Sequence, residues 1–273
     1  MTEAPSGAEA PGLPPYSLGA HASPPDARDL LLEGSDHLAA ALADAAARPQ
    51  PFAPTTAAEL AEAAASLAGA PPPTGTLGPL PVPYDQDGRG WCVAEAVTGG
   101  AAYLWHRKLG RWLFDQRGVG DLYALAKRID GIAGEGTTPR AALYQAQHVG
   151  ILGVDGKRYK IGPYHSLVPS SSPQLLVEQT IGVLAQPVII AVTWPSSWMN
   201  AEYSGGILPV PTPAAIAASP GGHAVELWRY LVATAYDCLR NSWGPHWGNG
   251  QGNAYARADA LLALAFDLWT FTL

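Results

Sequence analysis

The composition of this chain changes abruptly near residue 80, and that change limits where a hydrophobic core can form. The first 80 of its 273 residues are dominated by alanine and proline and contain no tryptophan, cysteine or lysine. All nine tryptophans and both cysteines lie between Trp91 and Trp269. Because aromatic side chains bury far more apolar area than alanine, the main core is predicted after residue 79. Residues 1–78 then form an N-terminal extension that ends in a proline-rich linker.

Charge and cysteine content exclude several classes of protein. A net charge of −7 leaves no basic excess to neutralise phosphates, so we expect no nucleic-acid partner. Two cysteines cannot build a disulfide framework or a tetrahedral thiolate zinc site. The histidines show no metal-ligand spacing either, so no metal and no cofactor are expected.

The sequence also bears on location. No uninterrupted apolar run of about 18 residues is present, so no membrane span is expected. Residues 1–6 lack the basic start and the apolar segment of a secretory signal. We therefore expect a cytoplasmic protein, or one in a virion or host cytoplasm if the chain is phage-encoded.

Local patterns predict helices first and strands second, which is typical of an α+β fold. Alanine-rich stretches with capping residues and turn signals predict helices over 37–48, 56–69, 92–109, 121–129 and 141–148. Apolar, β-branched or alternating runs predict strands over 187–192, 224–230, 231–240, 254–257 and 268–272.

Three segments carry residues suited to nucleophilic catalysis. Cys92 follows a glycine-rich turn and begins a helix, where unpaired N–H groups and the helix dipole favour a thiolate. His223 follows two glycines at the start of an apolar strand, and Asn241 ends another strand. Each has a plain structural alternative: a small buried thiol, a strand-edge histidine and a glycine-rich turn. Their order and the spacing of about 130 residues fit a Cys–His–Asn arrangement.

From about residue 79 to its end, the chain resembles the papain family of cysteine peptidases. Gln86 lies six residues before Cys92, where the family has its oxyanion-hole glutamine, and Asn241-Ser242-Trp243-Gly244 matches the family's Asn-Ser-Trp-Gly motif. The segments 130–143, 186–192 and 268–270 also resemble bacterial members. The resemblance implies a two-lobed fold with a cleft, in which the helical lobe spans about 79–165 and a β-barrel-like lobe about 166–273.

The same resemblance implies a thiol endopeptidase that acts on proteins or peptides through an acyl-enzyme. Cys92 would be the nucleophile, His223 the acid and base, and Asn241 the residue that orients the imidazole, while Gln86 would stabilise the oxyanion. The residues expected to bind substrate are Gly90, Trp91, Gly136, Thr137, Ala224 and Trp243. Trp91 replaces a small residue of the family, which predicts a bulkier cleft wall.

Two alternatives stay open at this point: a catalytically inactive papain-like binding module, favoured by Trp91, and a Cys–His peptidoglycan hydrolase. Cys238, in an apolar strand, is expected to be a buried structural thiol, and Glu95 is expected to be a surface or capping charge. The extension over 1–78 is interpreted as a possible autoinhibitory propeptide. The sequence does not predict an oligomeric state.

Overall fold

The computed structural model describes residues 17–24, 26, 29, 77–182, 184–201, 205–231 and 235–273. The helices predicted over 37–48 and 56–69 lie outside the described residues. We number the elements in chain order within the described part.

Three helices form the first half of the described fold, and each begins where its sequence supplies a start signal. Helix α1 spans Cys92–Leu109 and ends at Gly110, whose φ of 69° is the left-handed C-cap conformation. Helix α2, Gln116–Lys127, begins five residues before its predicted start because the Asp115 side chain caps the N–H groups of residues 117 and 118. Helix α3, Pro139–His148, is capped by the Thr138 hydroxyl as predicted.

Helix α1 is the central helix of the molecule. Every residue from Cys92 to Leu104 is buried, so this part of the helix is enclosed on all its faces, while its last turn is exposed. Gly100 permits a close approach to the sheet, because a Cβ atom there would lie 2.9 Å from the Pro187 ring. Gly99 and Gly100 therefore bring the middle of α1 directly against the sheet.

The second half is dominated by an antiparallel sheet of six strands within the described residues, in the order β3-β8-β4-β5-β6-β7. These strands are β3 (Tyr164–Ser166), β4 (Val188–Trp194), β5 (Gly221–Leu231), β6 (Tyr236–Arg240), β7 (Asn253–Arg257) and β8 (Ala265–Phe271). The remaining elements are a small hairpin of β1 (Ile151–Leu152) and β2 (Arg158–Tyr159), and helices α4 (Pro173–Gly182), α5 (Pro213–Ala217) and α6 (Ala258–Ala263). All five predicted strands are confirmed, with boundaries shifted by a few residues.

The sheet is open, which corrects the expected barrel-like lobe. Strands β3 and β7 are its two edges, and within the described residues they do not pair with each other. The outer edge of β7 makes one isolated bridge, between Ile207 and Tyr255. With only three residues, β3 is too short to carry the pairing round to β7. The α+β class is confirmed, while helices α4, α5 and α6 lie between strands of the second half.

Neither a membrane span nor a metal cluster is evident in the part of the chain that the structure describes. No helix there is both long and apolar enough to cross a bilayer. No group of three histidine, cysteine or acidic side chains is placed there to hold a metal ion.

Candidate active site

Neighbouring strands bring His223 and Asn241 into contact. His223 lies near the start of β5, and Asn241 follows the last residue of β6, which pairs with β5. The imidazole Nε2 and the Asn241 Oδ1 are 2.6 Å apart, and the same Oδ1 accepts a 2.7 Å hydrogen bond from the Ser242 backbone N–H. Since that backbone donor requires an oxygen there, Nε2 must carry the imidazole proton. The other ring nitrogen, Nδ1, is left unprotonated in the neutral imidazole.

Indole rings enclose this hydrogen bond. The ring centres of Trp194 and Trp243 each lie 4.7 Å from that of His223, and the two indoles meet edge to face at 5.6 Å. His223 and Asn241 are almost fully buried. Exclusion of water strengthens the electrostatics of their hydrogen bond. Sequence analysis predicted Trp243 but missed Trp194, which no motif marks.

Cys92 opens α1 beside the histidine. Its thiol is fully buried, and the backbones of Ala224 and Gly19 lie close enough to lower its pKa slightly against the effect of burial. Ala224 directly follows His223 in β5, so Cys92 lies beside the part of β5 that carries His223. Among the described residues, His223 Nδ1 has no hydrogen-bond partner. Cys92 and His223 are therefore both placed where α1 packs against β5.

Burial keeps both groups uncharged. It raises the pKa of the Cys92 thiol to about 12, and the carboxyl group of Glu95 adds to the rise. Burial also lowers the pKa of His223 to about 4, against a smaller opposing effect of its bond to Asn241. At neutral pH the pair is thiol and imidazole rather than thiolate and imidazolium.

Gln86 presents its carboxamide beside these groups. Its Nε2 donates to the carbonyl oxygens of Ser17, at 2.6 Å, and of Arg89, at 2.5 Å. Its Oε1 accepts a 2.8 Å hydrogen bond from the Ser242 hydroxyl. The side chain is fixed by three partners, and both of its N–H donors already hold peptide carbonyls.

The N-terminal segment 17–24 lies across the site. The backbone N–H groups of Gly19 and Ala20 donate to the carbonyl oxygen of Gly222, at 3.1 and 3.0 Å. His21 N–H donates to Thr137 O at 3.0 Å, and Thr137 N–H donates to Gly19 O at 2.9 Å, which forms a parallel bridge. A Cβ at Gly222 would lie 2.2 Å from Ala20 O, so only glycine allows this approach. The segment lies over the site in which Cys92 is fully buried.

Polar contacts beyond the cleft hold the far end of this segment. Ser23 N–H donates to Asp267 Oδ2 at 2.6 Å, and Arg140 N–H donates to the Ser23 hydroxyl at 3.2 Å. The Arg140 guanidinium forms an ion pair with Asp29 at 2.6 Å, with both side chains mostly buried. The segment is therefore anchored on both helix α3 and strand β8.

Three of the six expected substrate-binding residues, Gly90, Gly136 and Thr137, lie against this segment. A Cβ at Gly19 would lie 2.5 Å from Gly90 O, and one at Gly136 would lie 2.3 Å from Gly19 O. Thr137 forms the parallel bridge, while Ala224 faces the thiol and Trp243 covers the imidazole, as described above. Trp91 instead turns its ring towards α2, where it packs on Tyr123 at 5.8 Å and over Gly120.

The expectations for Cys238 and Glu95 have opposite outcomes. Cys238 is fully buried in β6, which confirms its expected position in the core. The expectation of a surface charge at Glu95 is wrong: only 2% of this residue is exposed, because this part of α1 is enclosed on all sides. The periodic pattern of an alanine-rich helix does not show which of its faces are covered.

The fold is similar to that of solved papain-family cysteine proteases. Xylellain, a cysteine protease from Xylella fastidiosa, matches with a TM-score of 0.65 and 19% identity over 94% of this chain and 96% of xylellain. The Carica candamarcensis cysteine protease CMS1MS2, in complex with E-64, matches with a TM-score of 0.54 and 21% identity over 71% of this chain and 93% of its own.

The ragweed pollen cysteine protease Amb a 11, in its proform, matches with a TM-score of 0.50 and 20% identity over 71% of this chain and 62% of its own. No protein-family model matches the chain, and no curated protein matches it in sequence. The structural matches establish a papain-like fold for this protein.

Proposed function

We propose that this protein is a thiol endopeptidase that cleaves peptide bonds through Cys92, His223 and Asn241. The observation that carries the proposal is the 2.6 Å bond between His223 Nε2 and Asn241 Oδ1. It leaves Nδ1 free to take the proton of a thiol at the start of α1, which is the relation of base to nucleophile that acyl transfer needs.

The chemistry follows from these positions. The Cys92 thiol gives its proton to His223 Nδ1, and the thiolate adds to the peptide carbonyl carbon. The imidazolium then protonates the leaving amine, and the C–N bond breaks to leave a thioester. Water, deprotonated by the same nitrogen, attacks the thioester and returns the thiol. Asn241 keeps the ring oriented throughout.

Gln86 and the Cys92 backbone would stabilise the oxyanion. The N–H of Cys92, as the first residue of α1, has no intrahelical acceptor. Gln86 Nε2 holds the Ser17 carbonyl oxygen at 2.6 Å, which supports its use with a substrate carbonyl. Two such donors aimed at one oxygen favour the tetrahedral intermediate over the planar amide.

An extended peptide is the substrate class that the cleft suits best. Thr137 and Gly222 bond the segment 17–24 through backbone atoms alone. Backbone pairing of this kind gives affinity for any extended chain, and side-chain pockets add selectivity. The site is therefore proposed to act on proteins and peptides.

The chain that retains its N-terminal extension is proposed to be latent. The segment 17–24 occupies the cleft, buries Cys92 and uses the donor of Gln86 that a substrate would need. The extension over 1–78 would then be an inhibitory propeptide of a peptidase domain over 79–273. Removal or displacement of the segment would open the site.

A thiol-directed epoxide tests the proposal. We expect it to label Cys92 in the chain carrying Gly19→Gln, which displaces the segment, and not in the same chain with Cys92→Ala. Hydrolysis of an unfolded protein should accompany labelling. Absence of labelling in a folded protein would overturn the proposal in favour of a binding module. Release of cell-wall fragments without cleavage of unfolded protein would favour a peptidoglycan hydrolase.

A further inference from the structure

We propose that Glu95 is a positioning residue for the oxyanion-hole glutamine: its protonated carboxyl keeps the Ser242 hydroxyl bonded to Gln86. This inference rests on the proposed function, and it adds a residue that lies outside the Cys–His–Asn set. Its basis is a chain of buried polar contacts behind the cleft.

The contact between Ser242 and Gln86 comes first. The Ser242 hydroxyl lies 2.8 Å from Gln86 Oε1, and the Gln86 N–H donates to the Ser242 carbonyl at 3.0 Å. Both residues are at most 5% exposed. Because an amide oxygen has no proton to give, the single hydroxyl proton of Ser242 must point at Gln86. That hydrogen bond fixes which face of the Gln86 carboxamide points into the cleft.

Glu95 lies behind Ser242, in the first turn of α1. Its Oε1 accepts a 2.5 Å hydrogen bond from Gln116 Nε2, the first residue of α2. Its Oε2 is buried and has no hydrogen-bond partner within the described ranges. Glu95 and Ser242 line the same small cavity, and the hydroxyl is close enough to lower the pKa of the carboxyl group. Depending on its protonation state, the free oxygen of Glu95 therefore either competes with Gln86 for the Ser242 hydroxyl proton or donates a proton to the Ser242 oxygen.

One hydroxyl proton faces two acceptors. When Glu95 is protonated, its Oε2–H can donate to the Ser242 oxygen, and the Ser242 proton stays on Gln86. When Glu95 is ionised, its carboxylate is the stronger acceptor and draws that proton away from Gln86. Gln86 Oε1 then loses its donor, and the carboxamide keeps only the bonds made by Nε2.

Burial supports the protonated form at neutral pH. The pKa of Glu95 is raised to about 8, chiefly by burial and to a lesser extent by Asp85, against the lowering effects of the Gln116, Ser242 and Arg89 side chains. Other ionisable groups near this cavity are Tyr84, Cys92, Asp115, Glu226 and Arg240. We call the chain of hydrogen bonds from Glu95 through Ser242 to Gln86 the relay. It should thus keep the Gln86 carboxamide fixed up to about pH 8 and release it at higher pH.

Nuclear magnetic resonance of the Gln86 side-chain amide tests the relay without requiring turnover. The full chain carrying Cys92→Ala is used, so that no self-cleavage occurs, and spectra are recorded between pH 5 and pH 9. We expect the Gln86 amide signals to titrate with a midpoint near pH 8. Glu95→Gln should abolish this titration and keep the low-pH shifts, because its amide nitrogen can donate to Ser242 as the protonated acid does.

A matched control uses the other buried carboxyl group of the cavity. Glu226→Gln should leave the Gln86 titration in place, since Glu226 makes no hydrogen bond to Ser242 among the described residues. The proposal is overturned if the Gln86 signals do not titrate in the parent chain. It is equally overturned if they titrate unchanged in Glu95→Gln.

Kinetics in the Gly19→Gln chain give the functional readout. We expect kcat to fall about tenfold between pH 7 and pH 9, with KM unchanged, and we expect Glu95→Gln to remove the fall. Glu95→Ala should lower kcat at pH 7. A fall in kcat between pH 7 and pH 9 that persists in Glu95→Gln would contradict the relay. If no variant turns over peptide or takes the epoxide, the peptidase proposal fails, while the amide titration still decides the relay.

Discussion

Gln86 Nε2 donates a 2.6 Å hydrogen bond to the carbonyl oxygen of Ser17, a residue 69 positions earlier in the chain. The group proposed to stabilise the oxyanion is thus bonded to the protein's own N-terminal segment. The same segment bonds Thr137 and Gly222 on the two sides of the cleft. Its contacts and the burial of Cys92 together make the latent state a specific, testable arrangement.

Substitution at Gly19 should open the cleft. A Cβ at this position would lie 2.5 Å from Gly90 O and 2.6 Å from Gly90 Cα, so Gly19→Gln cannot keep the segment in place. We expect the rate of epoxide labelling of Cys92 to rise at least tenfold, as measured by intact mass over time. Ala22→Gln, at an exposed position of the same segment, is the control and should label like the parent chain. Equal rates in all three chains would contradict latency.

The pH dependence of Cys92 alkylation should differ between the closed and open chains. In the parent chain, burial raises the thiol pKa to about 12, so the rate with iodoacetamide should still be rising at pH 9. In Gly19→Gln, water reaches the pair, the thiol pKa falls and the His223 pKa rises. The rate should then be high and nearly constant between about pH 6 and pH 8.

Cys238 is an internal control for that experiment. It is fully buried in β6, and burial raises its pKa, so it should stay unmodified in both folded chains. A rate at Cys92 that rises identically with pH in both chains would show that the segment does not control the thiol.

Loss of the Gln86 donor should impair chemistry more than nucleophile reactivity. In the Gly19→Gln chain, Gln86→Ala is expected to lower kcat by about 10²–10³, because one oxyanion donor is removed. Epoxide labelling of Cys92 should change by less than about fivefold, since the thiol and imidazole remain. Gln251→Ala, at an exposed position, should leave both quantities unchanged. A kcat equal to that of the control would remove Gln86 from the mechanism.

The buried carboxyl group of Asp237 should make the stability of the folded protein depend on pH. It is 1% exposed in β6, both its carboxyl oxygens lack partners among the described residues, and burial raises its pKa from 3.8 to about 7. The folded state therefore binds the proton more tightly than the unfolded chain, so this stabilisation is complete below about pH 4 and is lost as pH rises to about 7.

Asp237→Asn should reduce the loss of stability that accompanies rising pH. We expect the fall in free energy of unfolding between pH 5 and pH 7.5 to shrink by about 2 kcal/mol, as measured by urea denaturation. Asp259→Asn, at an exposed position with a lowered pKa, should leave the fall unchanged. A fall of the same size in Asp237→Asn would mean that Asp237 is ionised in the folded protein.

Sequence reasoning predicted best where the signal is local. Cys92 as the first residue of α1, the Thr138 cap of α3 and the buried strand β4 all follow from capping residues and apolar runs. The motif around Asn241 also led directly to the residue that bonds His223. These features depend on a few neighbouring residues, so a single sequence contains them.

What the sequence did not predict depends on contacts between distant residues. Nothing near Ser17 marks it as a partner of Gln86, and the proline linker suggested only that an extension exists. The burial of Glu95 follows from the packing of α1 on the sheet, and the open edge of the sheet from the shortness of β3. Such features arise from tertiary packing, which overrides local pattern.

Hydrolysis of an unfolded protein by the full-length Gly19→Gln chain, with and without Cys92→Ala, tests the central claim most directly. Fragments are measured by mass spectrometry over time at pH 7. We predict cleavage by the chain with Cys92 and none by its Cys92→Ala counterpart, with both chains equally folded by circular dichroism. Equal cleavage by the two chains, or none by the chain that retains Cys92, would contradict the account.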